Sequence, residues 1–403
     1  MGETAYDVIV VGARCAGSPT AMLLARQGHR VLVLDRSTFP SDTVSTHVVH
    51  PTGVAALDRW GLLDQVVATG CPPIRSYDFD FGPVRVAGSP GTEEHPYGYC
   101  PRRTVLDQIL VEAASAAGAE VREGFFVEGL TFDGDRVTGV RGRLLDGGPV
   151  EERATWVVGA DGIRSLVARS VHAEQYREVE PKLCGYYSYW SNLPVDGHFE
   201  VFDRGDRGFA VAPTNDGLTL LVGGWPYAER DANKSDIDGN YLAIFDRVPE
   251  FAERLRGATR ESRITGMAVP NFFRRPYGDG WALVGDAGYN KDFITAQGIS
   301  DAFRDAELLA AALDDALTGR RPADEALADY HRTRDEAVLP MFEFTLQVAT
   351  FGPPPPELEQ LLGAMQGNQQ AMDGFARVNA GVTSPAEFFS EANIASIVGA
   401  TMV

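Results

Sequence analysis

A glycine-rich turn near the start of the chain carries the first residues that could do chemistry. The segment Gly12-Ala13-Arg14-Cys15-Ala16-Gly17 keeps the first and last glycines of a GxGxxG fingerprint, and Arg14 replaces the middle one. In such a turn the first glycine permits a tight bend, the last lets helix and strand approach, and helix N-terminal amides face a pyrophosphate. Arg14 can obstruct the phosphates or bind them through its guanidinium. The turn predicts dinucleotide binding by Gly12, Arg14, Cys15, Ala16 and Gly17.

An acidic residue follows the next apolar run. Val31 to Leu34 ends in Asp35, near the spacing at which a carboxylate accepts hydrogen bonds from ribose hydroxyls, and Arg36 follows it. The alternative is an aspartate that only caps the turn at the strand end. We therefore place Asp35 and Arg36 in the predicted cofactor site.

Two later motifs repeat this design of strand, glycine turn and acid. The first is Gly159-Ala160-Asp161-Gly162, and the second is Gly285-Asp286-Ala287-Gly288, which is followed by Gln297-Gly298 at the start of a long Ala- and Leu-rich helix. Their agreement with the first turn makes a nucleotide cofactor a stronger prediction than the irregular fingerprint alone.

Together the motifs resemble the single-component FAD-dependent aromatic hydroxylases, the para-hydroxybenzoate hydroxylase-like family of group A flavoprotein monooxygenases. The resemblance runs from about Tyr6 to about Leu317. The third motif of the family is GDAAHxxxPxxGQGxNxxxxDA, where x is any residue. The matching positions here are Gly285-Asp286-Ala287, Phe293 for the proline, Ala296-Gln297-Gly298, Ser300 for the asparagine, and Asp305-Ala306.

The resemblance implies that FAD is the cofactor. Asp286 would hold the ribityl chain, and the amides around Gln297-Gly298 would face the pyrimidine end of the ring. Asp161-Gly162 would lie where the family joins FAD binding to pyridine-nucleotide use. Arg103 matches the family's arginine near the cofactor, although it could also be a solvated arginine at a helix start.

The same resemblance implies a reaction. In the family, reduced FAD takes up O2 to give a C4a-hydroperoxide, and NAD(P)H is a transient electron donor without a nucleotide-binding domain of its own. No second GxGxxG follows any predicted strand, which agrees with that use of NAD(P)H. We expect hydroxylation or epoxidation of an aromatic or polycyclic small molecule, a reaction typical of secondary metabolism.

Two departures from the family motif keep other reactions open. Phe293 replaces the proline whose carbonyl approaches the reactive flavin carbon, and Tyr289 replaces the histidine after GDAA. An FAD-dependent dehydrogenase or a carbon-carbon double-bond reductase similar to the prenyl reductases is therefore the main alternative. A halogenase is disfavoured because the paired tryptophans of GWxWxIP are absent, and a non-catalytic flavin-binding protein is a further alternative.

Substrate-facing residues are predicted from side-chain chemistry. His47 and His50 follow the second strand and could deprotonate a phenol, or they could serve as loop and helix-cap residues. Aromatic residues of the middle region could line a flat pocket, but alternation along strands would send about half of them to the core or to solvent. The predicted pocket consists of Tyr186, Tyr189, Phe209, Trp225 and Phe293.

Composition excludes several kinds of partner. The formal net charge is -20 over 403 residues, which disfavours nucleic acid and anionic membranes. The four cysteines form no CxxC pair, so we expect no metal site. The chain shows no secretory signal or membrane-length apolar run, which predicts a cytoplasmic protein. The acidic C-terminal helices leave a homodimer open.

These residues require a framework that brings them together. The alternation of strands and helices predicts an α/β fold, with an FAD-binding Rossmann-like parallel sheet, an inserted antiparallel β-sheet substrate domain (an α+β insertion) and C-terminal helices. We expect a discontinuous FAD-binding domain from residues 1–72, 101–182 and 271–345. Residues 73–100 and 183–270 would form the substrate domain, and residues 346–403 a helical segment.

Overall fold

Strands and helices alternate through the first part of the chain. The computed structural model describes residues 6–145 and 147–400, so the outermost ends of the predicted segments 1–72 and 346–403 lie outside the described residues. The elements up to residue 170 are β1 (Tyr6–Val11), α1 (Gly17–Arg26), β2 (Val31–Leu34), α2 (Pro51–Arg59), α3 (Leu63–Ala68), β3 (Pro73–Ile74), β4 (Ser76–Asp80), β5 (Arg85–Gly88), β6 (Gly98–Tyr99), α4 (Arg103–Ala116), β7 (Glu120–Arg122), β8 (Phe125–Asp133), β9 (Arg136–Leu144), β10 (Pro149–Gly159) and α5 (Leu166–Ser170).

Strands dominate the middle of the chain, and helices its end. The remaining elements are β11 (Gln175–Val179), β12 (Leu183–Ser191), β13 (His198–Asp203), β14 (Gly208–Pro213), β15 (Thr219–Pro226), α6 (Arg230–Asn233), α7 (Ile237–Ala243), α8 (Pro249–Arg256), β16 (Thr259–Arg260), β17 (Thr265–Met267), β18 (Asn271–Arg274), β19 (Tyr277–Gly278), β20 (Trp281–Leu283), β21 (Tyr289–Asn290), α9 (Gly298–Leu317), α10 (Ala323–Val348), α11 (Pro356–Met365), α12 (Gln369–Asn379), α13 (Pro385–Phe388) and α14 (Glu391–Ala400). Short 3-10 turns at Gly285–Ala287 and Phe293–Thr295 precede α9.

A parallel sheet aligns the three motif turns. Strands β7, β2, β1, β10 and β20 pair in that order, all in parallel, and Val11 lies opposite both Leu34 and Gly159. Gly159 in turn lies opposite Leu283. Because the carboxyl ends of parallel strands share one edge of the sheet, the turns that follow β1, β10 and β20 lie together there.

The strands of this sheet are buried on both faces. Val8 and Val10 pack with helices α1, α4 and α9, whereas Ile9 packs with the antiparallel β8–β9 layer and α5. All three side chains are fully buried. A strand covered on both faces needs apolar residues without alternation, which explains the continuous apolar run of β1.

A second large sheet lies over this edge and has two unlike faces. Its order is β16-β12-β15-β14-β13-β4-β5, and the neighbours are antiparallel except for the parallel pair of β13 and β4. One face packs against helices α6 to α8, and the other faces the 293–298 loop and the C-terminal helices. The α/β prediction with an inserted, largely antiparallel sheet and C-terminal helices is confirmed.

Among residues 6–145 and 147–400, no helix combines the length and the apolar character that a membrane crossing requires.

The α6–α8 face of the large sheet supports a stability prediction. Trp225 is 1% exposed and meets the Tyr186 ring at a centroid distance of 5.5 Å, so Trp225→Ala should lower the free energy of unfolding by about 3–5 kcal/mol. Phe132, an aromatic residue that is 48% exposed, provides the matched control, because Phe132→Ala should change it by less than about 0.5 kcal/mol. Denaturant unfolding measures both, and similar losses in the two variants would contradict this packing.

Candidate functional site

The three motif turns approach one another so closely that only glycine fits. Gly12 has φ +104°, and a Cβ there would lie 2.4 Å from the carbonyl oxygen of Ala160. A Cβ on Gly17 would lie 1.8 Å from the carbonyl oxygen of Gly12, and one on Gly285 would lie 2.7 Å from the Cβ of Ala16. The first turn is therefore held in place by direct contact with the other two.

The start of helix α1 is open to an anion. Its N-cap position, Ala16, provides no side-chain cap, and the first turn contains no acidic residue. The amide of Ser18 donates to the Arg14 carbonyl and Pro19 has no N–H, so the helix offers phosphate oxygens chiefly the positive end of its dipole. This is the environment that a pyrophosphate requires.

Asp35 fixes the shape of the same turn. Its carboxylate accepts hydrogen bonds from the amide of Ala13 at 2.8 Å and from the amide of Ser37 at 2.7 Å, and the residue is 8% exposed. Each carboxylate oxygen has a second lone pair, so the predicted ribose contact is compatible with this capping role. The neighbouring Arg36 is exposed at the surface.

The guanidinium of Arg14 points to a buried carboxylate. It donates to Asp107 at 2.5 Å and to the carbonyl and hydroxyl oxygens of Ser41, and it lies over the Phe39 ring. The second predicted arginine, Arg103, donates to the other oxygen of Asp107 at 2.9 and 3.0 Å. Sequence reasoning missed Asp107, although its i,i+4 spacing from Arg103 on a helix was a usable signal.

Cys15 completes this cluster. Its thiol lies 3.4 Å from the Asp107 carboxylate, as donor, and is 6% exposed. Burial raises the pKa of the Cys15 thiol, and the positive charge of Arg103 opposes that effect. The thiol therefore stays protonated, and its side chain packs beneath the turn.

Asp286 lines the crevice between the motif turns. Its side chain is exposed to solvent, yet it lies deep enough for desolvation to raise its pKa to about 6, while the nearby charges of Arg103 and Lys291 act to lower it. A carboxylate in an open, partly desolvated crevice is suited to accept hydrogen bonds from ligand hydroxyls.

Asp161 organises the second motif. It accepts hydrogen bonds from the amides of Leu166 at 2.6 Å and Val167 at 3.3 Å, which caps helix α5. Desolvation raises its pKa. Its Oδ1 is buried and has no partner among the described residues. Gly162 has φ +76°, so the turn depends on glycine there.

The start of helix α9 also opens onto free space. A Cβ on Gly298 would meet no atom within 4 Å, so the space before this helix is open. The Gln297 side chain points away from it and donates to the Asn379 carbonyl of α12 at 2.8 Å. Contact of the backbone amides around Gln297 and Gly298 with the flavin ring stays a prediction.

These residues fit FAD. The glycine contacts leave no room for side chains at the pyrophosphate turn, and helix α1 directs the positive end of its dipole there. Asp286 lines the crevice, and helix α9 begins at an open space. Bound FAD would be held by these groups on the edge of the parallel sheet. Among the described residues, no group of three or more His, Cys, Asp or Glu side chains could hold a metal ion.

The two residues that depart from the family motif have separate surroundings. The Phe293 ring lies on the large sheet at Gly185, where a Cβ would be 2.7 Å from the ring. Tyr289 is 3% exposed and accepts a hydrogen bond from Lys291 at 2.6 Å, and Lys291 also contacts Asp301. Phe293 therefore packs on the sheet, whereas Tyr289 belongs to a buried ionic network.

The two histidines are both buried. His50 bonds Tyr77 at 2.7 Å through Nδ1 and the Thr295 carbonyl at 3.0 Å through Nε2. His47 bonds the Tyr189 hydroxyl at 2.7 Å through Nε2. Burial lowers the pKa of His47 to about 3 and that of His50 to about 4, so both imidazoles are neutral near pH 7. A role as substrate base stays a prediction for both.

The predicted aromatic pocket is divided between the two faces of the large sheet. Tyr186, Phe209 and Trp225 pack beneath helices α6 to α8. Tyr189 lies on the opposite face, the face of the 293–298 loop. The structure therefore brings Tyr189 and Phe293 to one side of the sheet and does not bring the other three to them, because successive side chains on a strand alternate.

Comparisons with known proteins agree with this geometry. The family described as "FAD binding domain" matches residues 5–345. Digeranylgeranylglycerophospholipid reductase 2 of Methanopyrus kandleri is 30% identical over 312 residues, which cover 73% of each chain. Rifampicin monooxygenase of Streptomyces venezuelae is 26% identical over 89% of this chain and 75% of its own. The myxobacterial chondrochloren halogenase CndH superimposes with a TM-score of 0.80 at 24% identity, covering 99% of this chain and 97% of that one.

The glycine contacts predict how FAD binding fails. In Gly12→Ala the new Cβ would clash with the Ala160 carbonyl and displace the turn, so we expect FAD affinity to fall at least about tenfold. Gly28→Ala is the matched control, because Gly28 also has a positive φ, +92°, but a Cβ there meets no atom within 4 Å. Titration of FAD-free protein with FAD measures both, and equal losses would refute the steric explanation.

The raised pKa of Asp286 predicts a pH-dependent stability. A carboxyl group whose folded pKa of about 6 exceeds its usual 3.8 stabilises the fold below 3.8 and loses that contribution as pH rises through 6. FAD-free Asp286→Asn should therefore become more stable than the wild type as pH increases from about 4 to about 7. Thermal unfolding at several pH values measures this, with the exposed Asp135→Asn as control. A wild-type and variant difference that does not change with pH would contradict it.

Proposed function

Because the chain belongs to the FAD binding domain family and is an FAD-dependent oxidoreductase, we propose that it is a monooxygenase. It would use NAD(P)H and O2 to hydroxylate or epoxidise an aromatic or polycyclic small molecule. The substrate would lie between the FAD crevice and the face of the large sheet that carries Tyr189 and Phe293.

The observation that carries this proposal is a group of two tyrosines and one histidine on that otherwise apolar sheet face. Tyr187 and Tyr189 lie there, and the His47 ring contacts both at centroid distances of 5.5 and 5.7 Å. Phenol and imidazole groups suit a substrate that bears hydroxyl or carbonyl oxygens. A purely hydrocarbon chain would leave the buried His47 Nδ1 without a hydrogen-bond partner.

Bound FAD supplies the redox chemistry, including the activation of O2. The residues of this chain would bind the cofactor and the substrate and enclose them. Asp286 and the starts of helices α1 and α9 would orient the cofactor, and Phe293 on Gly185 would shield the ring from water. The neutral histidines would provide hydrogen bonds at the substrate, and general-base catalysis by His47 or His50 is part of the proposal.

NAD(P)H is proposed as a transient donor. A pocket of about 340 Å³ lies beside the Asp161-Gly162 turn and is lined by Arg164 and Arg274 among others. Its guanidinium groups suit the phosphates of a pyridine nucleotide. A cytoplasmic location, a homodimer and the absence of nucleic acid and membrane partners are also retained as proposals.

A second candidate is a carbon-carbon double-bond reductase. It is favoured by the identity of 30% with the Methanopyrus kandleri protein, whose name states a digeranylgeranylglycerophospholipid reductase activity. The Phe293 and Tyr289 departures from the hydroxylase motif agree with it. A halogenase or a non-catalytic flavin protein is less well supported, since the likeness to the halogenase at 24% identity concerns the fold.

Isotope labelling separates these candidates. The FAD-loaded enzyme is incubated with NAD(P)H, labelled O2 and a panel of polycyclic phenols, and the products are analysed by mass spectrometry. We expect gain of one labelled oxygen atom, together with NAD(P)H oxidation that the substrate accelerates. Gain of two hydrogens without label would establish the reductase, and NAD(P)H oxidation that no substrate changes would exclude both.

A further inference from the structure

His47 has an unusual backbone. Its φ is +65°, in the left-handed region that residues other than glycine seldom adopt, and its amide is held by a hydrogen bond of 3.0 Å to the Ser45 hydroxyl. Such conformations persist only where the surroundings impose them, and they concentrate at functional sites. The loop therefore holds this side chain in one direction at an energetic cost.

The imidazole of His47 is also incompletely paired. His47 is 0% exposed, its Nε2 bonds Tyr189, and its Nδ1 has no hydrogen-bond partner among the described residues. His50, which is three residues later and also buried, forms hydrogen bonds through both ring nitrogens. Buried polar atoms are almost always paired, so the His47 Nδ1 calls for a partner that the described residues do not supply.

The groups around His47 locate that partner. The rings of Tyr187 and Tyr189 meet the imidazole edge-on, and Arg102 lies over the Tyr189 ring at 4.9 Å. Arg103 is close enough to affect the charge of both His47 and Asp286. His47 thus lies between the FAD crevice and the large sheet, where the proposed function puts the substrate.

We infer that His47 Nδ1 hydrogen-bonds a hydroxyl or carbonyl oxygen of an aromatic substrate, and that Tyr189 acts as a positioning residue that holds the imidazole through Nε2. This inference rests on the proposed function, because it needs a substrate beside the flavin. If Tyr189 donates to Nε2, then Nδ1 carries the proton and donates to the substrate. In the other tautomer Nδ1 accepts from a substrate hydroxyl.

The experiment compares two probes of similar shape, 2-naphthol and 2-methylnaphthalene, on the FAD-loaded protein. Binding is followed through the change in flavin absorbance. We expect the wild type to bind 2-naphthol about tenfold more tightly than 2-methylnaphthalene, which is the size of one hydrogen bond. His47→Gly should remove most of that preference, and His47→Asn should keep part of it. Both replacements tolerate a positive φ, so the fold is preserved.

Two controls isolate the side chain. His172→Gly relieves a second positive φ, +49°, at an exposed histidine and should leave the preference unchanged. Tyr189→Phe keeps the ring but removes the hydroxyl, and it should lower the preference for 2-naphthol while the affinity for 2-methylnaphthalene stays the same. A loss of affinity for 2-naphthol alone shows that the Tyr189 hydroxyl positions His47, whereas a general packing role would lower the affinity for both probes.

Three results would overturn the inference. They are an unchanged preference in His47→Gly, a wild type that binds neither probe, and a loss of FAD affinity in His47→Gly without any change in preference, which would assign Nδ1 to the cofactor. Because binding needs no turnover, failure of the oxygen-labelling test would reject the proposed monooxygenase and leave the measured preference intact.

Discussion

A single buried carboxylate joins the first glycine turn to helix α4 and so fixes the geometry of the cofactor site. Asp107 is fully buried, and its two oxygens engage Arg14 of the first turn and Arg103 at the start of α4. A buried charge is stable only when its partners compensate for lost hydration, and removal of one partner leaves the others uncompensated. The geometry of the turn, the position of Arg103 and the field at Asp286 all depend on this arrangement.

This arrangement explains how an irregular fingerprint is tolerated. An arginine in place of the middle glycine would crowd a phosphate if its side chain extended forward from the turn. Instead the Arg14 side chain turns aside. Its guanidinium pairs with the Asp107 carboxylate, donates hydrogen bonds to Ser41 and lies over the Phe39 ring. The backbone amides of the turn are thereby left to the cofactor.

The sequence predicted the fold and the cofactor motifs because these depend on local patterns. Apolar runs that end in glycine indicated the strands, and their place in the turns is what predicts Asp161 and Asp286 as cofactor residues. It did not predict Asp107 as the common partner of two arginines, nor the division of the aromatic residues between two sheet faces. Both depend on which side of an element faces its neighbour, and strand phase and helix docking are decided by tertiary packing.

The hydrogen bond from Gln297 to the Asn379 carbonyl links the cofactor motif to helix α12. Gln297 lies within the family match, which ends at residue 345, and Asn379 lies beyond it. The C-terminal helices, which pack on the face of the large sheet that carries the 293–298 loop, thus lie beyond the family match and are joined to the start of α9 by this hydrogen bond. Linkage is reciprocal, so any ligand that shifts α12 and thereby changes FAD affinity must itself bind with an affinity that depends on FAD to the same degree. For two such ligands the coupling free energy is therefore one quantity, the same whichever ligand binds first.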